Sequence, residues 1–126
     1  MKLYIDDIRP APDGWQQART VTDAIRFIEQ FGLEVDEISI DHDISYAVEV
    51  AGTQRPFPSP ENFTAVARYI YVYYRERHIP DCALVPPKIT IHTANPVGAK
   101  ELEAILKEFS PRYEPASRVN RLESEV

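Results

Sequence analysis

The sequence predicts an α/β protein, a three-layer sandwich around a mostly parallel sheet of four to five strands. Three observations predict it. Short apolar runs end abruptly in acidic or polar clusters: Leu3-Tyr4-Ile5-Asp6-Asp7, Ile38-Ser39-Ile40-Asp41-His42-Asp43 and Ile89-Thr90-Ile91-His92-Thr93-Ala94-Asn95-Pro96. Such runs read as buried parallel strands surfacing at their carboxyl ends. Segments of helical periodicity alternate with them, in the order strand–strand–helix–strand–helix–strand–helix, which calls for right-handed crossovers. Finally, 126 residues with 44% apolar content suit one domain with a real core, read as a single unit over 1–126.

Residues 2–6 form the first predicted strand. Arg9-Pro10-Ala11-Pro12-Asp13-Gly14 is turn chemistry. Residues 15–21 read as the second strand. Helix one follows, capped by Thr20 or Thr22, with Ala24, Ile25, Ile28 and Phe31 on one face and Gly32 at its stop. Residues 37–41 are the third strand. Residues 44–60 read as a long connection; because it leaves directly from an acidic cluster, a lid is expected. Ser59 is expected to cap helix two with Pro60 at its first position, and Phe63, Val66, Ala67, Ile70 and Tyr74 form its apolar stripe. Tyr69, Tyr71, Tyr73 and Tyr74 read as packing groups rather than a stacking platform for bases. A loop over 80–87 leads to a fourth strand over 88–93. Asn95 caps helix three, Pro96 occupies its first turn, and Leu102, Ile105, Leu106 and Phe109 face the core. Residues 113–119 offer a short edge strand or a packing tail.

A net charge of −6 argues against a broad basic surface for DNA or RNA. Docking of a phosphorylated small molecule or an RNA end through a metal stays open. The single cysteine, Cys82, excludes an internal disulfide and points to a reducing, cytoplasmic setting. The amino terminus is too short and acidic for a signal peptide, and no apolar run approaches the roughly 20 residues of a membrane helix. Oligomeric state is not legible.

Ligands of open α/β sheets bind outside the carboxyl ends of the strands. Four aspartates gathered there need compensation, and a divalent cation with oxygen ligands is the usual one. Asp6, Asp7 and Asp41 are therefore candidate ligands for Mg²⁺ or Mn²⁺, against the plainer reading of strand-end aspartates capping turns. The start of helix three, Asn95-Pro96-Val97-Gly98, offers backbone N–H groups to an anion, with Lys100 nearby. A cation site beside an anion site suggests a phosphate ligand. Strand alternation turns His42 away from Asp41 and Asp43, and His92 away from Ile91 and Thr93. A serine hydrolase elbow is absent, and zinc is disfavoured by an isolated cysteine.

The three motifs, in order over residues 2–109, resemble the cyclic-phosphate processing receiver-like family, related to two-component receiver domains. The resemblance implies a flavodoxin-like fold. It matches Asp6 and Asp7 to the receiver metal pair, Asp41 to the phosphoacceptor and Thr93 to the receiver hydroxyl. His42, Asp43, His92 and Asn95 match the additional polar positions of the cyclic-phosphate family. A receiver has a helix between its first two strands and a lysine ending its fifth; here residues 8–14 are a Pro-rich loop and no such lysine is found. The expected function is metal-dependent hydrolysis of a cyclic phosphate on an RNA end or nucleotide. Asp6, Asp7 and Asp41 would hold the metal, and Thr93, Asn95, Gly98 and Arg9 would hold the phosphate. His92, His42 and Asp43 would handle protons, with His92 favoured as lying between the metal cluster and helix three. The alternatives are a non-catalytic sensor, a divergent receiver phosphorylated on Asp41, and a structural domain with a relic site.

Overall fold

In the computed structural model the described residues are 1–77 and 85–116, with backbone alone at 45–50 and 54–60. The elements are β1 (Lys2–Ile5), β2 (Gln16–Ala18), α1 (Val21–Phe31), β3 (Glu37–Ile40), β4 (Asp43–Val50), β5 (Thr53–Asn62), α2 (Thr64–Arg77), β6 (Lys88–Thr93), α3 (Pro96–Ile105) and β7 (Arg112–Pro115). Five strands form an all-parallel sheet in the order β2-β1-β3-β6-β7, flanked by three helices. This is the α/β class the sequence predicts, with the strand order of flavodoxin-like sheets.

Register divides the sheet into two chemically distinct faces. Leu3, Ile38 and Ile89 align across β1, β3 and β6, and so do Ile5, Ile40 and Ile91. All six are almost fully buried. The crossovers from β2 to β3, β3 to β6 and β6 to β7 run in one direction, so right-handed connections put α1, α2 and α3 over this isoleucine-rich face. Consistently, α2 packs against both α1 and α3. The alternate residues, Tyr4, Ser39, Thr90 and then His92, look the other way. The β1–β2 connection runs in the opposite direction and contains no helix. Among the described residues, no helix is long and apolar enough to cross a membrane.

Helix boundaries follow side-chain chemistry. Thr20 accepts the Asp23 amide and caps α1, and Asn95 accepts those of Val97 and Gly98 and caps α3. Gly32 ends α1 with φ −54°, so left-handed freedom is not its reason. A Cβ there would meet the Tyr73 ring at 2.6 Å, while the Tyr74 hydroxyl donates to the Gly32 carbonyl. The α1–α2 contact thus requires close approach, and Tyr73 and Tyr74 are packing residues.

Several boundaries correct the sequence reading. The expected connection over 44–60 is strand: β4 and β5 pair as an antiparallel hairpin. Ala51 and Gly52 both have positive φ, as a two-residue primed turn requires. Such a turn makes Val50 and Thr53 a hydrogen-bonded pair, so Pro56 and Pro58 fall at alternate positions whose missing N–H groups face the outer edge. Edge position tolerates prolines that otherwise read as loop. Ser59 and Pro60 consequently lie within β5 and do not open α2. Asn62 does that work, accepting the Thr64 amide and hydroxyl. The second strand is shorter than 15–21, since Val21 already begins α1. The edge strand at the end of the chain is Arg112–Pro115, parallel to β6; the expectation beyond residue 116, and that for 80–84 with Cys82, fall outside the described residues.

Candidate functional site

Asp6 and Asp41 each follow the last residue of a strand, and those strands are neighbours, with Ile5 paired to Ile40. The Asp41 amide donates to the Ile5 carbonyl at 2.9 Å, which holds the two acids side by side. Oxygens of Asp6, Asp7 and Asp41 all lie within 4.8 Å of one another. The three strand-end aspartates therefore converge, at the β1/β3 position where a sheet of this order binds ligands.

Asp6 organises the loop that follows it. Its Oδ1 accepts the amides of Ile8 and Arg9, both at 2.9 Å, which turns the chain back over the strand end. Its Oδ2 accepts from His92 Nε2 at 2.9 Å and Arg9 Nη1 at 3.2 Å. The same Arg9 nitrogen donates to Asp41 Oδ2, also at 3.2 Å. Gln17 stitches the loop: its Nε2 donates to the carbonyls of Asp6 and Arg9, and its Oε1 accepts the Ala11 amide. Arg19 Nη1 donates to the Asp7 carbonyl.

The two buried aspartates are driven apart in acidity. Burial works to raise Asp6, but the His92 hydrogen bond and the Ile8 and Arg9 amides outweigh it and hold the carboxyl below its ordinary range. Burial raises Asp41, and the Asp6 charge adds to it; the His42 amide and Thr93 hydroxyl offset only part. Like charges in one site commonly separate in this way.

His92 is buried on the face away from the helices. Its Nε2–H goes to Asp6, and its Nδ1 lies 2.6 Å from Ser39 Oγ. Its ring stacks on Tyr4, with centroids 4.3 Å apart and planes 8° from parallel. Tyr4 in turn meets Trp15 edge-on at 6.1 Å. Burial raises the Tyr4 pKa, as do the Asp6 and Asp41 charges, against Arg9, so its phenol stands within the field of the acid cluster. His92 is thus bonded to Asp6 and Ser39, not directed toward α3.

His42 faces the helices. Nδ1 lies 2.7 Å from Asp43 Oδ1, and Nε2 lies 3.2 Å from Glu101 Oε2 on α3. Gly98 makes this possible, because a Cβ there would sit 2.5 Å from His42 Cγ. Asn95 Nδ2 donates to Asp43 Oδ1 at 3.2 Å, while its Oδ1 takes the Val97 and Gly98 amides at 3.1 Å. The first amides of α3 are therefore engaged by the cap itself. Thr93 Oγ1 accepts the Asn95 amide, linking α3 to Asp41.

Asp6, Asp7, Arg9, Asp41 and Thr93 come together in one cluster. His42, Asp43, Asn95 and Gly98 form a second network joined to it through Asp41–His42 and Thr93–Asn95. Sequence reasoning missed Tyr4, Ser39, Gln17 and Glu101. The first two were legible as alternation: tyrosine, serine, threonine and histidine recur opposite a face of leucine and isoleucine. β7, whose sequence is Arg-Tyr-Glu-Pro, carries no lysine.

The sequence model of one family, described as the cyclic-phosphate processing receiver domain, matches residues 1–108. No curated protein and no solved structure matches the chain.

Proposed function

Because the chain belongs to the cyclic-phosphate processing receiver family, we propose that it hydrolyses a cyclic phosphate, on an RNA end or nucleotide, with a divalent metal at Asp6, Asp7 and Asp41. The observation that carries this reading is the convergence of three carboxylates within 4.8 Å at adjacent parallel strand ends. An all-oxygen, acceptor-only donor set suits Mg²⁺ or Mn²⁺ rather than zinc. When bound, such an ion supplies Lewis-acid polarisation of a phosphoryl oxygen and a more acidic water.

The chain's own groups divide the remaining work. Asp6, held ionised, keeps its charge across the working pH range. Asp41, raised in pKa by burial and the Asp6 charge, must give up its proton to hold the ion, and it lies beside the Thr93 hydroxyl. Opening the ring forms one P–O bond from water and breaks one P–O ester bond; the attacking water gives up a proton and the departing alkoxide gains one. Asp43 stands at the exposed rim, bonded to His42 and Asn95, where it can exchange a proton. His92 serves as a positioning residue: buried, stacked and bonded at both nitrogens, it orients Asp6. Thr93, Asn95 and Arg9 are the polar groups proposed to hold phosphate oxygens. The setting is proposed to be cytoplasmic.

Turnover tests the proposal. With Mg²⁺ or Mn²⁺, wild type should open 2′,3′-cyclic AMP to a monophosphate, and chelator should stop it. Binding without hydrolysis would replace the enzyme with a sensor. A mass gain of one phosphoryl group on Asp41 from a small phosphodonor would favour the receiver instead.

A further inference from the structure

Arg9 stands where a cation is needed. One nitrogen, Nη1, lies 3.2 Å from both Asp6 Oδ2 and Asp41 Oδ2, bridging two of the three carboxylates. The arginine side chain is 16% exposed and its partners 0% and 3%, so solvent and salt screen the trio weakly. The backbone of Arg9 is fixed separately. Its amide donates to Asp6 Oδ1 and its carbonyl accepts from Gln17. The guanidinium can therefore leave by side-chain rotation while the loop stays in place.

The Asp6 carboxylate is already saturated, with two amides on Oδ1 and both Arg9 and His92 on Oδ2. A divalent ion and a guanidinium meet the same electrostatic need, and both would require the inner oxygens of Asp6 and Asp41. We infer that Arg9 is the resident counter-cation of this cluster, and that a divalent ion binds Asp6, Asp7 and Asp41 only by displacing its side chain. The inference rests on the metal reading above and adds the competitor that gates it. Arg9 thereby lowers metal affinity and keeps the metal-free acids neutralised.

The test is a Mg²⁺ titration of the whole chain, wild type and Arg9→Ala, followed by NMR. Backbone amides of Asp6 and Asp7 report ion binding, and the Arg9 Nε–H resonance reports where the guanidinium is. In wild type, Mg²⁺ should move that resonance to the position of an exposed arginine, in step with the amide shifts. Arg9→Ala should bind Mg²⁺ about tenfold tighter or more, the scale of one neighbouring charge; Arg9→Lys, which keeps the charge, should lie between. Binding by Arg9→Ala alone would also support the competition. Amide shifts with an unmoved Arg9 resonance, or equal or weaker binding by Arg9→Ala, would overturn it while leaving the metal site standing. Should neither protein bind Mg²⁺, the metal reading falls, and the inference with it. The wild-type resonance needs no variant to fold, so the result stands even if Arg9→Ala is unstable.

Discussion

Asp6 and Asp41 lie side by side yet titrate in opposite directions, and their mutants should separate. Asp6 has a folded pKa below its ordinary value, near 3.9 in an unfolded chain. Its stabilisation is present above that value and is lost as pH falls through the folded pKa. Asp41 has a raised folded pKa, so the native state holds its proton longer and stability declines as pH rises from about 3.9 through that pKa. In metal-free thermal melts from about pH 3 to pH 7, Asp6→Asn should lower stability at neutral pH. The loss should be about 1.5–3 kcal/mol, the scale of hydrogen bonds to a charged group. Asp41→Asn should abolish the decline with rising pH; a steeper decline would contradict the assignment. His92 belongs to the same argument. As a positioning residue its removal should cost about 10–100-fold in metal affinity and activity together. A true proton donor would lose turnover with binding intact. Ser39→Ala should lower both in the same direction, to a smaller extent. The strand-end aspartates were legible because an apolar run stops at each. The Ser39–His92–Asp6 chain was not, because it joins residues 53 and 86 positions apart that only sheet register brings together.

Elements position these residues through close contacts rather than through turns alone. Gly98 lies in the first turn of α3 with His42 against its Cα, which fixes the helix relative to the end of β3. Gly98→Ala should gain about 1 kcal/mol of helix propensity. It must also push the imbedded ring aside, an overpacking that costs about 1–3 kcal/mol. We therefore expect net destabilisation in urea melts, together with loss of the His42–Glu101 contact. A more stable Gly98→Ala protein would show that the ring moves freely. The bounds of β6 and the start of α3 were legible, because Asn-Pro caps sharply after an alternating run; the end of α3 was not, since the helix closes at Ile105 and Phe109, expected on its core face, lies in a separate 3-10 turn. The β4–β5 hairpin was not. Three prolines over residues 56–60 imitate a loop unless the missing N–H groups are known to face an edge, and pairing is a property of two strands at once.

At the scale of the molecule, the fold concentrates chemistry on one end of the sheet. Parallel strands in register bring the ends of β1, β3 and β6 together, and the isoleucine-rich face beneath the helices is buried along all three. That convergence is what the alternation of strands and helices made legible, along with the family. The loop after β1 was legible only as a break, while its function of delivering Arg9 into the acid cluster depended on the Asp6 and Gln17 hydrogen bonds. The central claim is that Asp6, Asp7 and Asp41 form a cation site of the folded protein. An ion that binds only the folded state stabilises it by mass action, by about 2.7 kcal/mol at a hundred times its Kd. The most direct measurement is the melting temperature of wild type and Asp41→Asn, each with chelator and with millimolar Mg²⁺ or Mn²⁺. Wild type should melt higher with the ion, and Asp41→Asn should lose most of that rise. A wild-type melting temperature indifferent to Mg²⁺, Mn²⁺ and Ca²⁺ would contradict the claim.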